Sequence, residues 1–169
     1  MNRVLAEWNA ADRQTANESM LACCGAQRWA AGMAAARPIQ SIIELSETAD
    51  RVWATMEEED LREAFACHPR IGDHRTQHAT AQSAAWSRQE QSAIGDARER
   101  VLAELAEGNA RYEELFGFTY IVCATGKSAE EMLEILKRRL SRNKDEELRE
   151  AAEQQRQILQ IRLGKWLTT

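Results

Sequence analysis

Ser128-Ala129-Glu130-Glu131-Met132-Leu133-Glu134-Ile135-Leu136-Lys137-Arg138-Arg139-Leu140 carries a helix with both ends marked. Ser128 and Glu131 stand in the capping-box pattern, in which the hydroxyl accepts from a first-turn N–H and the carboxylate reaches back to the cap. Met132, Leu136 and Leu140 recur every fourth residue and so share one face. Lys137, Arg138 and Arg139 fall in the last turn, where cations complement the helix dipole. The same signals extend outward. Upstream, Ile94, Ala97, Val101, Leu105, Tyr112 and Leu115 trace one face of a helix running from Ala93 to Phe116. Downstream, a final helix from about Lys144 to Trp166 is expected to bury Leu148, Ala152, Leu159, Leu163 and Trp166.

The first half reads as several shorter helices. Pro38 suits a first helical turn and is expected to open one, with Ile42, Ile43, Leu45, Ala49, Val52, Trp53 and Met56 at roughly helical spacing. Another runs from about Glu58 into Cys67 and stops near His68, because Pro69 disfavours the α region for the residue before it. The chain has only 2 prolines, and residues that lose little on entering a helix dominate it. The expectation is an all-α fold, a compact single-domain bundle of roughly eight helices over residues 1–169, with one extended segment.

Composition narrows the function. The 169 residues suffice for one core, and a formal net charge of -5 argues against a basic nucleic-acid surface. No apolar run approaches the ~18 residues of a membrane span. The N-terminus, with Glu7 in its short apolar run, is a poor signal peptide, and Leu167-Thr168-Thr169 is no peroxisomal address, so the cytoplasm is the default. The cysteines Cys23, Cys24, Cys67 and Cys123 form no C-x-x-C pair and read as buried reduced thiols.

One segment breaks the helical pattern. Phe116-Gly117-Phe118-Thr119-Tyr120-Ile121-Val122-Cys123-Ala124-Thr125-Gly126 is aromatic and β-branched and reads as extended, yet no second strand exists to pair with it. Its backbone N–H and C=O groups must be satisfied by loops, water or a polar ligand.

Two further constellations could carry chemistry. His68, His74 and His78 fall close together, with Cys67 beside them. A zinc site lacks an H-E-x-x-H motif or a second ligand cluster, so His74 and His78 read as surface residues and no metal is expected. His68 differs: it ends an apolar helix and is held by Pro69 at the rim of a core, where an imidazole either packs or exchanges a proton near neutral pH. Ser87-Arg88-Gln89-Glu90-Gln91 is both a helix capping box and a helix face presenting a hydroxyl, a carboxylate and an amide.

In combination these segments resemble the 2-oxo-4-hydroxy-4-carboxy-5-ureidoimidazoline (OHCU) decarboxylase family. The resemblance rests on His68-Pro69-Arg70-Ile71-Gly72-Asp73, Ser87-x-x-Glu90-Gln91, Asn109-x-x-Tyr112 and Phe116 through Ala124. Arg139, Asn143, Glu147-Leu148 and Arg162-Leu163 complete it, with Arg37-Pro38 as a weaker match upstream. It implies an all-α enzyme, often a homodimer, that converts the small molecule OHCU to (S)-allantoin in urate degradation. It places the proton-transferring histidine at His68; Glu90 is read as its catalytic partner, with binding of the ureido group as the alternative role. It also implies substrate contacts at Pro69, at Ser87, Arg88, Gln89, Glu90 and Gln91, and along the backbone of Tyr120, Ile121, Val122, Cys123 and Ala124. No cofactor is implied, since the C=N bond beside the departing carboxylate can take the electron pair. Some members carry an arginine after the Cys-Ala pair, where this chain has Thr125, which leaves Arg70 and Lys127 as candidate partners for the substrate carboxylate. The rival readings are a helical protein-interaction module without catalysis and a metal-dependent hydrolase using the histidine cluster.

Overall fold

The computed structural model describes residues 2–71, 82, 86 and 99–169, and among them every regular element is an α-helix. In chain order these are α1 (Arg3–Ala10), α2 (Arg13–Cys24), α3 (Gln27–Ala35), α4 (Ile42–Trp53), α5 (Glu58–Ala66), α6 (Glu99–Phe116), α7 (Ala129–Arg139) and α8 (Lys144–Trp166). The expected all-α class holds, with eight helices among the described residues. The chain divides into two compact units, one of Met1–Ala64 with Arg156–Thr169, the other of Phe65–Gln155.

The first unit is built on side chains that close helix ends. Asn2, Asp12 and Ser41 each accept a backbone N–H from the first turn of the helix they precede. Arg37 Nη1 donates to the carbonyls of Trp8 and Ala11 at 2.6 and 2.8 Å, satisfying acceptors at the end of α1. Trp8 and Trp29 are buried, and each indole N–H finds a carbonyl, of Ala16 and Ala49 respectively. Gly32 on α3 lets α4 approach closely: a Cβ there would lie 2.7 Å from Val52 Cγ1. Ser41, not Pro38, begins α4, because its hydroxyl caps the Glu44 N–H. The helix therefore starts at Ile42, four residues later than expected, and Ile42 and Ile43 are exposed rather than core. All four cysteines are free and buried, and burial pushes the Cys23 thiol up to about 12.

In the second unit the predicted capping box of α7 is present in both directions, Ser128 with Glu131. Helix α6 packs against α7 through Gly108, where an added Cβ would meet Leu136 Cδ2 at 2.6 Å. Leu115, assigned above to the buried face of α6, is 52% exposed; Phe116 takes the buried position instead. Gly117, at φ 76°, ends α6 and donates its N–H to the Glu113 carbonyl.

Helix α8 spans the expected residues and buries Leu159, Leu163 and Trp166 as expected, but its first half turns a different face inward. Glu147, Ala151, Gln155, Ile158, Leu159, Arg162, Leu163 and Trp166 are buried, whereas Leu148 and Ala152 are only half-buried. The seam runs one residue earlier in the first half of the helix and passes through three polar side chains, which an apolar-only periodicity skips.

Gly108→Ala tests the close approach of α6 and α7. Overpacking should cost about 1–3 kcal/mol against ~1 kcal/mol of helix propensity gained, a net loss of roughly 1 kcal/mol by urea denaturation. Stability equal to or above wild type would contradict the packing.

Candidate active site

Helix α5 delivers His68. The helix ends at Ala66, Cys67 and His68 turn away from it, and the His68 N–H donates back to the Phe65 carbonyl at 3.1 Å. His68 is half-buried with its Nε2 shielded from solvent, and Pro69 and Ile71 are buried beside it. Helix α6 anchors this turn twice. Asn109, itself buried, donates from Nδ2 to the Ile71 carbonyl at 3.2 Å. Arg70 grips Glu113 with a two-point fork, Nε to Oε1 at 2.8 Å and Nη2 to Oε2 at 2.6 Å. Arg70 is thus occupied by a carboxylate of its own chain rather than standing ready for the substrate's.

The same helix organises the extended segment. Residues 118–124 have no regular structure and no strand pairs with them among the described residues. Their aromatic side chains pack on α6 and on the end of α5: Tyr112 lies 5.7 Å from Phe118 and 5.3 Å from Tyr120, ring centre to ring centre, and Phe65 lies 5.2 Å from Phe118. Tyr120 donates its hydroxyl to the Met132 carbonyl at 3.1 Å.

Below this cluster lies a buried charge network. Arg139 is 2% exposed and Glu147 fully buried, and they form an ion pair in which Arg139 Nε donates to Glu147 Oε1 at 2.6 Å. The Tyr112 hydroxyl donates to that same oxygen at 2.5 Å, and Arg139 Nη1 donates to the Ile121 carbonyl at 2.6 Å. The guanidinium also lies over the Tyr120 ring, 4.9 Å from its centre. Burial pushes the Tyr112 hydroxyl well above its ordinary pKa, and its hydrogen bond to the Glu147 carboxylate adds to the rise. For Arg139, burial works against the charge, yet the bond to Glu147 leaves its pKa raised. The sequence reading placed Arg139 with Lys137 and Arg138 as a helix-dipole cation; the structure turns it inward. Its spacing to Tyr112 and Glu147 belonged to the motif pattern, but nothing in the composition separates it from its exposed neighbours.

Side chains take up one edge of the segment. Besides Ile121, the Cys123 N–H donates to Gln154 Oε1 at 2.8 Å, and the Cys123 carbonyl accepts from Lys127 Nζ at 2.8 Å. Lys127, the other cation candidate, is therefore engaged by the segment itself. The Ala124 carbonyl accepts the Lys127 N–H. Among the described residues no partner meets the N–H or C=O of Val122, or the N–H of Ala124. The structure thus brings together His68, Pro69 and Tyr120 through Ala124 in one unit, joined by α6. Ser87, Arg88, Gln89, Glu90 and Gln91 lie outside the described residues, as do His74 and His78.

Tyr112→Phe removes one buried donor and should cost about 1–2 kcal/mol. It should also flatten the alkaline limb of stability. With its pKa raised, the folded Tyr112 keeps its proton above pH ~10 while the unfolded chain releases it. That stability is intact below pH ~10 and falls as pH rises past it. Urea titrations from pH 8 to 11 should show a shallower fall in the variant, with Tyr120, also raised by burial, carrying the remainder. An unchanged slope would contradict the burial of the hydroxyl.

Comparison with known proteins identifies the family. A family model for OHCU decarboxylase matches residues 9–164. The chain is 37% identical over 145 residues to the uric acid degradation bifunctional protein TTL of Arabidopsis thaliana, covering 85% of this chain and 44% of that protein. It is 25% identical over 162 residues to the uric acid degradation bifunctional protein PucL of Bacillus subtilis (strain 168), covering 95% of this chain and 32% of that one. The chain therefore spans less than half the length of these two relatives. A crystal structure of an OHCU decarboxylase in the presence of (S)-allantoin superposes with a TM-score of 0.78 at 31% identity, covering 94% of this chain and all of that one. An (S)-allantoin synthase shares the fold, with a TM-score of 0.71 at 14% identity over 96% of this chain and 53% of that one. With its length matched almost end to end, this chain belongs to the OHCU decarboxylase family.

Proposed function

We propose that this chain decarboxylates OHCU to (S)-allantoin in urate degradation, using the substrate's own C=N bond as electron sink. The observation that carries the reading is that one helix, α6, fixes both a shielded imidazole, at His68, and a backbone edge with open N–H and C=O groups. An imidazole supplies proton transfer near neutral pH, and an open peptide edge suits a ligand made of ureido and ring amides.

In the reaction the bond from the ring carbon to the carboxylate breaks and carbon dioxide leaves. The electron pair forms a C=C bond to the ureido-bearing carbon as the C=N electrons pass to nitrogen, which takes a proton from water, giving an enol intermediate. His68 handles the hydroxyl proton as the carbonyl forms and delivers a proton to one face of the carbon bearing the ureido group. Delivery from one face yields one enantiomer. Glu90 is the catalytic partner of His68, and Pro69, Ser87, Arg88, Gln89 and Gln91 bind the substrate with the backbone of Tyr120 through Ala124. These roles follow the family pattern carried onto this chain's own residues.

We further read the chain as a single cytoplasmic domain that works as a homodimer on a small molecule, with neither nucleic acid nor a membrane as partner. No helix among the described residues is long and apolar enough to cross a membrane, and the family match runs through both compact units.

Freshly generated OHCU decays slowly to racemic allantoin, so enzyme-made product is recognised by circular dichroism. Wild type should give optically active allantoin faster than background. His68→Ala should lower kcat by about 10²–10⁴-fold. Racemate at the background rate from wild type would overturn the activity; a fully active His68→Ala would overturn the role given to the histidine.

A further inference from the structure

The segment of residues 118–124 has no strand beside it among the described residues, and three side chains bond its backbone. In an extended backbone, the N–H and C=O of one residue point to the same edge and those of the next to the opposite edge. The groups of Ile121 and Cys123 lie on one edge, and each bond there is made by a side chain: Arg139 to the Ile121 carbonyl, Gln154 to the Cys123 N–H, Lys127 to the Cys123 carbonyl. The peptide bonds concerned are trans. In a trans peptide the C=O and the following N–H point in opposite directions. Pinning the Ile121 carbonyl therefore turns the Val122 N–H away from Arg139. Pinning the Cys123 N–H turns the Val122 carbonyl away from Gln154, and pinning the Cys123 carbonyl turns the Ala124 N–H away from Lys127.

Opposite the three pinned groups stand a donor, an acceptor and a donor: Val122 N–H, Val122 C=O, Ala124 N–H. None has a partner among the described residues, although Val122 and Ala124 are buried. Buried backbone groups left open are costly unless something fills them. An imide-type group, in which one N–H stands between two C=O groups as in the ring of allantoin, is the complementary chemistry.

We propose that Arg139, Gln154 and Lys127 are positioning residues for substrate recognition: they hold the peptide units from Ile121 to Ala124 so that the opposite edge presents this donor–acceptor–donor row to the amide groups of the ligand. The inference rests on the function proposed above and adds to it residues that need not touch the substrate. It also gives Lys127 a task other than neutralising a carboxylate.

Gln154 is the best probe: it is half-buried on α8, and besides accepting from Cys123 it donates from Nε2 to Glu150 Oε1 at 3.0 Å. Gln154→Met removes the acceptor while keeping much of the shape, and Gln154→Glu, made in a Glu150→Gln background so that no two carboxylates face each other, keeps an acceptor oxygen. Binding of (S)-allantoin by calorimetry and steady-state turnover of OHCU are measured for both, with Lys127→Met as a second probe if Gln154→Met folds poorly. Gln154→Met should weaken (S)-allantoin and raise KM by roughly five- to tenfold, with the larger effect on KM than on kcat, and Gln154→Glu should recover most of the loss. Wild-type affinity in both Gln154→Met and Lys127→Met would overturn the proposal, as would equal losses in Gln154→Met and Gln154→Glu. If wild type itself makes no allantoin above background, the function reading falls and this inference falls with it. An active wild type with unaffected variants removes only the positioning role.

Discussion

The buried ion pair between Arg139 and Glu147 is the constraint on which the rest of the second unit depends. Two opposite charges in a dry interior are tolerated only when attraction and hydrogen bonds offset the loss of water around them. Here the guanidinium spends its donors on Glu147 and the Ile121 carbonyl, while Tyr112 adds its hydroxyl to the same carboxylate oxygen. Removing either charge would strand the other, so the pair acts as an obligatory join. It brings α6, α7 and α8 to one point and attaches the extended segment to that point. An apolar cluster of the same volume could give comparable stability, but it would offer no donor to the Ile121 carbonyl.

That join connects packing to chemistry. From it the aromatic stack of Tyr112, Phe118 and Tyr120 runs along the segment, and Phe65 carries it to the end of α5, three residues before His68. Asn109 and Glu113, on the same helix as Tyr112, hold the histidine turn at Ile71 and Arg70. A single helix therefore sets the frame for the His68 turn and for the segment of residues 118–124. In the function proposed here, the face from which the proton arrives relative to the bound ring is the quantity that must be fixed, and a shared frame would fix it.

Much of this was legible in the sequence, and the failures have physical causes. The capping box at Ser128 and the stop at His68-Pro69 are local and strong, and both stand in the structure. The segment from Phe118 to Ala124 announced itself by composition and by its lack of a partner strand. What could not be read was how it is satisfied, because Arg139, Gln154 and Lys127 lie up to 31 residues away in the chain and look like ordinary surface polar residues. On α8 the expected burial of Leu159, Leu163 and Trp166 holds, and only the first half departs, for the same reason: Glu147 and Gln155 are buried, and a search for apolar spacing slides to Leu148 and Ala152. Pro38 was given the helix start that Ser41 holds, since a capping hydroxyl outweighs a favourable φ when both lie upstream of one apolar run. The stretch Ser87 through Gln91 rests on its motif alone.

The account turns on His68 and the open edge of Val122 and Ala124 meeting the same small molecule. A crystal structure of this protein with (S)-allantoin measures that directly. The account predicts the ligand's amide groups within hydrogen-bond distance of the Val122 N–H and C=O and the Ala124 N–H, with the His68 imidazole facing the carbon that bears the ureido group. Allantoin bound away from this edge, or with His68 turned from that carbon, would contradict it.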